Sequence, residues 1–436
     1  MLLCVAMTGL LAAPAGAVQH QPPHRAGDSW IGTWTSAFSH GGTEHDSSGR
    51  TLRMIVHTSI GGSASRIRLS NAFNTHQQVM DHVTVALAAN PEADREGRSA
   101  EHPSAAVPGT VHEVTFDGSE RTVVPAHARA VSDPVTMDVP ADSDLLVSVH
   151  VAEQRGPATA HSLAQQTSYV STSGDHASAE SAKTYTSTVN SWFYVDGVDV
   201  LNHRARGAVV TLGDSITDGY GSTVGSNHRW PDLLADRLRH QPPPRRLSVL
   251  NAGISGNRIL LEGINDIQQQ PHQDDPERII AGMKQIVRQA RAAGLRVVGG
   301  TLTPFQGWSA YTPELEATRQ AVDEWIRTSG AFDAVIDFDA TVRDSSDPHR
   351  LLPAYDSGDH LHPDEAGYRA MAAAIELADL IGSNSHAKAP AARGEHRPRP
   401  VLLDTGAEHC PSTTVRPHQY RERSQGNVPS GRTPVR

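Results

Sequence analysis

The sequence predicts two blocks in series. The first is an all-β sandwich over residues 30–205. The second is an α/β domain over residues 206–382, with a parallel sheet lying between two layers of helices, α/β/α. Three observations predict this. Short alternating segments, set apart by Gly, Asn, Asp, Ser and Pro clusters, fill the first block without a convincing amphipathic helix among them. After Arg206 the alternation gives way to continuous apolar runs, as expected of strands buried on both faces. Those runs alternate with segments of helical period, the pattern of parallel strands joined by crossover helices.

In the first block the expected strands are 52–57, 66–69, 82–87, 111–116, 134–139, 145–151 and 192–200, each with one apolar face. Gly61-Gly62-Ser63 and Asp117-Gly118 read as hairpin turns. Such a block serves either as a sugar-binding module or as a packing partner for the second block.

In the second block, 208–212 is a buried strand, 230–239 a helix and 247–250 a second strand. A strong helix over 276–293 carries Ile279, Ile280, Met283, Ile286, Val287 and Ala290 at helical spacing, and Gly294 stops it. A strand comes next at 295–302. Thr312 as N-cap and Pro313 at the first helical position open a helix that runs to 329. The block closes with a strand at 335–338 and a helix at 364–381.

Residues 1–17 are uncharged and apolar and end in Ala15-Gly16-Ala17, as a secretory signal peptide does, although no Lys or Arg precedes the apolar run. The run is too short to span a membrane. A polar linker, 18–29, comes next. The expectation is a secreted, extracellular protein with no membrane span. Removal of the leader would take Cys4 and leave Cys410, which excludes an intramolecular disulfide framework and a Cys-rich metal site. A formal net charge of −10 over 436 residues argues against nucleic acid as the main partner. The basic tail, 383–436, is rich in Pro, Arg, Ser and Gly and is expected to be disordered.

Gly213-Asp214-Ser215 stands where the first apolar strand ends, and in open α/β sheets ligands bind outside the carboxyl ends of strands. Ser215 is followed by Ile-Thr-Asp-Gly, which can begin a helix and place the hydroxyl near free backbone amides. A serine hydroxyl needs a base, and the base needs an orienting group. Asp359-His360-Leu361-His362 supplies both on one loop, with His362 as the base, Asp359 as the orienting carboxylate and His360 as a competing base. Gly256, after the second strand, can present a bare backbone N–H, and Asn265 offers a side-chain amide donor. Phe305, Trp308 and Tyr311 follow a strand end and either line a substrate site or pack the loop.

These motifs, in this order, resemble the SGNH hydrolases, also called the GDSL esterase/lipase family, over residues 207–382. The Ser, Gly, Asn and His of that name fall on Ser215, Gly256, Asn265 and His362, and the family's Asp-x-x-His pair falls on Asp359 and His362. The first block, with Trp30-Ile31-Gly32-Thr33-Trp34, is similar to the sandwich domain of a secreted actinobacterial-type subgroup. The resemblance implies a flavodoxin-like catalytic domain and acyl transfer from a small-molecule or polysaccharide ester to water through a serine ester. Ser215, Gly256 and Asn265 would form the oxyanion hole, and neither metal nor cofactor is implied.

One departure stands out. In the family a helix and most of a strand separate the Gly motif from the Asn motif, whereas Asn265 stands nine positions after Gly256. A parallel crossover needs a dozen or more residues. The expectation is either a gap in the central sheet or a misplaced Asn265, and with it an impaired oxyanion hole. That leaves a competing function: carbohydrate binding by a chain whose second domain is catalytically weakened.

Overall fold

The computed structural model describes residues 2–6, 29–42, 46–89, 103–257 and 263–381, so the expected tail lies outside the described residues, as does the expected linker apart from Ser29. Two large antiparallel sheets occupy the first block. In one, Asp144–Val151 pairs with Arg50–His57 on one side and His82–Leu87 on the other. In the other, Gly62–Ser70 pairs with Val195–Leu201, which in turn pairs with Trp30–Thr35. Side chains alternate across a strand, so Met54, Val56, Val147 and Val149 of the first sheet meet Ile67, Leu69, Val198 and Val200 of the second in one core.

Asp117-Gly118 is the tight turn expected. Both residues have positive φ (52° and 79°), and Phe116 and Ser119 exchange both backbone hydrogen bonds across it. Gly61-Gly62-Ser63 is not a hairpin. The strands on either side of it join different sheets. Residues 58–60 carry the chain across, held where Thr33 Oγ1 accepts the Ile60 N–H at 3.0 Å. A Cβ on Gly61 would lie 2.3 Å from the Val139 carbonyl oxygen, so this turn uses its glycine for close approach. The strand expected over 192–200 is split at Tyr194, whose φ is +60°, and the one over 111–116 shrinks to His112–Glu113.

In the second block, helices α1 (Ser215–Asp218), α2 (Trp230–Arg239), α3 (Ile264–Gln268), α4 (Pro276–Ala292), α5 (Pro313–Thr328), α6 (Phe338–Val342), α7 (Glu365–Ala373) and α8 (Leu377–Ile381) surround a five-stranded sheet. The caps act as the sequence implies. Thr312 accepts the Leu315 N–H at the start of α5, and Pro313 stands at its first position. The single helix expected over 364–381 is two helices, α7 and α8. Val297 and Val298 face opposite ways: Val297 packs with α3, α4 and α5, and Val298 with α2, α6 and α7.

The sheet itself is not all-parallel. Gly207–Gly213 and Leu247–Gly253 are parallel, as are Arg296–Gly300 and Ala334–Ile336. Between the two pairs lies Leu2–Ala6, antiparallel to both neighbours, with Leu3 opposite Thr211 on one side and Val298 on the other. The short Gly256–Asn265 connection sends no strand into the sheet among the described residues, and residues 258–262 lie outside them. Backbone N–H and C=O groups of two buried strands need partners. Residues from the expected leader supply them in this structure.

Candidate active site

The Gly207–Gly213 strand delivers its last residue into a sharp turn. A Cβ at Gly213 would lie 1.8 Å from Thr217 Oγ1, so only glycine lets α1 start this close to the strand. Asp214 caps α1, its Oδ1 accepting the Ile216 N–H at 2.9 Å. Burial pushes the Asp214 carboxyl up from its ordinary value. Ser215, the next residue, is buried, and its Oγ lies 2.7 Å from His362 Nε2.

His362 comes from the loop before α7. Its Nδ1 lies 2.6 Å from Asp359 Oδ2, while Asp359 Oδ1 accepts the backbone N–H groups of Leu361 and His362 at 2.9 and 2.8 Å. Burial by itself would raise the Asp359 carboxyl. The hydrogen bonds from the His362 ring and backbone outweigh it and hold the group well below the usual carboxylate range. An ionised Asp359 fixes the imidazole with its proton on Nδ1, which leaves Nε2 free to accept from the serine hydroxyl.

The competing base is separated by geometry. His360 has positive φ, is half exposed and points its Nδ1 at Asp356 Oδ2, 2.6 Å away. His362 is buried against the serine.

The loop after Leu247–Gly253 approaches from the other side. Ile254 N–H donates to the Gly213 carbonyl, and Asp218 Oδ2 accepts both the N–H and the Oγ–H of Ser255, at 3.0 and 2.6 Å. These bonds fix the residue just before Gly256, whose φ of +73° suits glycine.

Asn265 lies at the start of α3 rather than at a strand end. Its side chain is almost fully buried. Oδ1 accepts from Gln268 Nε2 and Gln269 Nε2, at 2.7 and 2.9 Å, and Nδ2 has no partner among the described residues. Gln268 Oε1 in turn accepts from Trp308 Nε1, and the Trp308 ring stands edge-on to His362, centroids 6.4 Å apart. Ile264 lines a small cavity with Asp214 and Ile216, so α3 begins against the Ser215 turn. The short connection therefore still brings Asn265 to this end of the sheet.

Of the three aromatic residues raised by the sequence, Trp308 reaches the site, whereas Phe305 is buried against Tyr311 as packing. Tyr220 was not legible. Its ring lies 4.4 Å from that of His362 and is partly exposed, while its carbonyl accepts the Tyr368 hydroxyl. It stands close after the serine motif, but no spacing pattern singles it out. Among the described residues no group of three or more His, Cys, Asp or Glu side chains is placed to hold a metal ion, and no helix is long and apolar enough to cross a membrane.

A hydroxyl, an imidazole and a carboxylate in hydrogen-bonded series can move a proton off the hydroxyl and stabilise the imidazolium that results. Residues 211–370 match the GDSL-like Lipase/Acylhydrolase family and form a domain of that kind. No curated protein matches the chain. Among solved structures, an acetylxylan esterase from Geobacillus stearothermophilus is 22% identical and aligns over 40% of this chain and 93% of its own, with a TM-score of 0.30. A GDSL-like lipase from Bacteroides thetaiotaomicron is 17% identical over 39% of this chain and 86% of its own, TM-score 0.31. An alpha/beta hydrolase enzyme from the metagenome of Lake Arreo is 21% identical over 40% of this chain and 95% of its own, TM-score 0.31.

Proposed function

We propose that this protein is a secreted serine ester hydrolase with Ser215 as nucleophile, His362 as general base and acid, and Asp359 as the orienting carboxylate. The observation that carries the reading is the unbroken series from Ser215 Oγ through His362 to Asp359, at 2.7 and 2.6 Å. His362 Nε2 takes the hydroxyl proton as Oγ attacks the ester carbonyl carbon. The tetrahedral oxyanion is held by the backbone N–H of Ser215 and of Gly256 and by Asn265 Nδ2. Collapse expels the alcohol, which takes its proton from His362. A water then attacks the acyl-enzyme with His362 again as base, releasing the acid and restoring Ser215.

In this reading the second block is a flavodoxin-like three-layer domain, the first a sandwich packed on it, and residues 1–17 the leader. The substrate is a small-molecule or polysaccharide ester, and no cofactor takes part. Asn265 Nδ2, buried and without a partner among the described residues, favours a working oxyanion hole over an impaired one. Release of p-nitrophenol from its acetate and butyrate esters tests the reading. Wild-type protein should turn over and Ser215→Ala should not, and equal rates would remove Ser215 from the mechanism. A second reading, carbohydrate binding by a catalytically weakened chain, rests on the short Gly256–Asn265 connection. It predicts no turnover together with affinity for a polysaccharide.

A further inference from the structure

The strand-rich block places one ionisable side chain at the back of the candidate site. His161, in the strand Ala158–Ser162, is buried, and its Nε2 lies 3.0 Å from Asp218 Oδ1. Its Nδ1 lies 2.6 Å from the Ala37 carbonyl oxygen. Both ring nitrogens face acceptors, an arrangement that favours the doubly protonated ring. Burial opposes that charge, but the Asp218 carboxylate outweighs it, and the histidine titrates above its ordinary value. Asp218 comes from α1. Arg229, which opposes the charge on His161, stands before α2 and is paired with Asp232 at 2.7 Å. His57, Asp142, Asp236 and Arg239 line the cavity that His161 and Asp218 also line.

Asp218 uses its other oxygen to hold Ser255, at both its N–H and its Oγ–H. Ser255 immediately precedes Gly256. We propose that His161 is a positioning residue for ester hydrolysis: it fixes Asp218, and Asp218 fixes the loop that aims the Gly256 N–H at the oxyanion. The inference rests on the serine-hydrolase reading above. It makes the strand-rich block a working part of the active site rather than a detachable binding module. Asp218 is both the last residue of α1 and the anchor of the facing loop, so a shift of its carboxylate loosens the Gly256 donor without disturbing Ser215, His362 or Asp359.

The two nitrogens of His161 can be removed separately. His161→Gln keeps a donor toward Asp218 and loses the one toward Ala37; His161→Asn keeps the donor toward Ala37 and loses the one toward Asp218. Hydrolysis of p-nitrophenyl acetate by the full chain should show kcat at least ten-fold lower in His161→Asn, with KM within three-fold, and kcat within three-fold of wild type in His161→Gln. A purely structural histidine would instead make the two variants equal in kcat once folding is matched by circular dichroism, and that result overturns the inference. If neither variant folds, Ser255→Ala decides. It removes one of the two Asp218 contacts in a partly exposed loop and should lower kcat three- to ten-fold at constant KM. An unchanged kcat there also overturns the inference. Ser215→Ala, run alongside, separates the two levels: a wild type no faster than Ser215→Ala sinks the hydrolase reading and the inference with it. A fast wild type with kcat unmoved by His161→Asn sinks the inference alone.

Discussion

Replacing Asn265 with alanine tests the part of the site on which the sequence and the structure pull hardest against each other. The side chain is almost fully buried, its Oδ1 is clamped by two glutamine amides, and its Nδ2 has no partner among the described residues. An unpaired buried donor is costly to keep, and it is useful where charge develops only in the transition state. Because Oδ1 is already fixed, Nδ2 needs no reorganisation as the oxyanion forms. Loss of one such donor lowers kcat by roughly 10²–10³-fold, about 3–4 kcal/mol. KM should move little, since the donor meets the tetrahedral oxygen better than the ground-state carbonyl. The assay is steady-state hydrolysis of p-nitrophenyl acetate, with Gln269→Ala as a control that removes one clamp and leaves the donor. A fall of less than three-fold in Asn265→Ala, from a wild type that turns over, would show that Nδ2 does not meet the oxyanion.

Other consequences are as direct. His360→Ala should keep kcat within a few-fold of wild type because that ring is exposed and faces Asp356, whereas His362→Ala should lose nearly all turnover; the reverse ranking in the same assay would exchange the two roles. His57 is partly buried, which disfavours its charge, but Asp142 and Asp144 outweigh that and raise its pKa to about 9. A raised folded-state pKa means stability that is full below the unfolded value and is lost as pH rises through the folded one. Thermal unfolding temperature should therefore fall between pH 6.5 and 9 more steeply in wild type than in His57→Gln, and parallel curves would contradict this. A chain beginning at Val18 lacks the strand Leu2–Ala6 and exposes the facing edges of two buried strands. At roughly 0.5–1.5 kcal/mol per lost hydrogen bond it should unfold at a lower temperature and exchange amide hydrogens faster over 208–212 and 296–299. Identical melting and exchange in the two chains would show that the sheet does not depend on that strand.

The order of strands and helices after Arg206 was legible because buried strands and amphipathic helices differ in period, and because Thr312, Pro313 and Gly294 mark helix ends by their own backbone chemistry. The His362 and Asp359 pair was legible because two groups three residues apart on one loop can converge. Sheet membership was not. Nothing local to Gly61 and Gly62 distinguishes a hairpin from a crossing between two sheets, since that is decided by distant partners such as Thr33. The missing crossover was visible as a count of residues, but its consequence was not. Pairing of Leu2–Ala6 with Val209 and Val297 joins residues roughly 200 and 300 positions apart, and apolarity alone suits a leader equally well. His161 was not legible for a related reason: a lone histidine in a strand carries no signal until the fold sets Asp218 against it.

The measurement that bears most directly on the central claim is covalent capture of the nucleophile. Treating the full chain with a fluorophosphonate and mapping the adduct by peptide mass spectrometry should give one modified residue, Ser215, with esterase activity lost in proportion to labelling. The Ser215→Ala chain should take up no label and have no activity. An adduct confined to another serine, or full activity in a chain whose Ser215 is quantitatively labelled, would contradict the account.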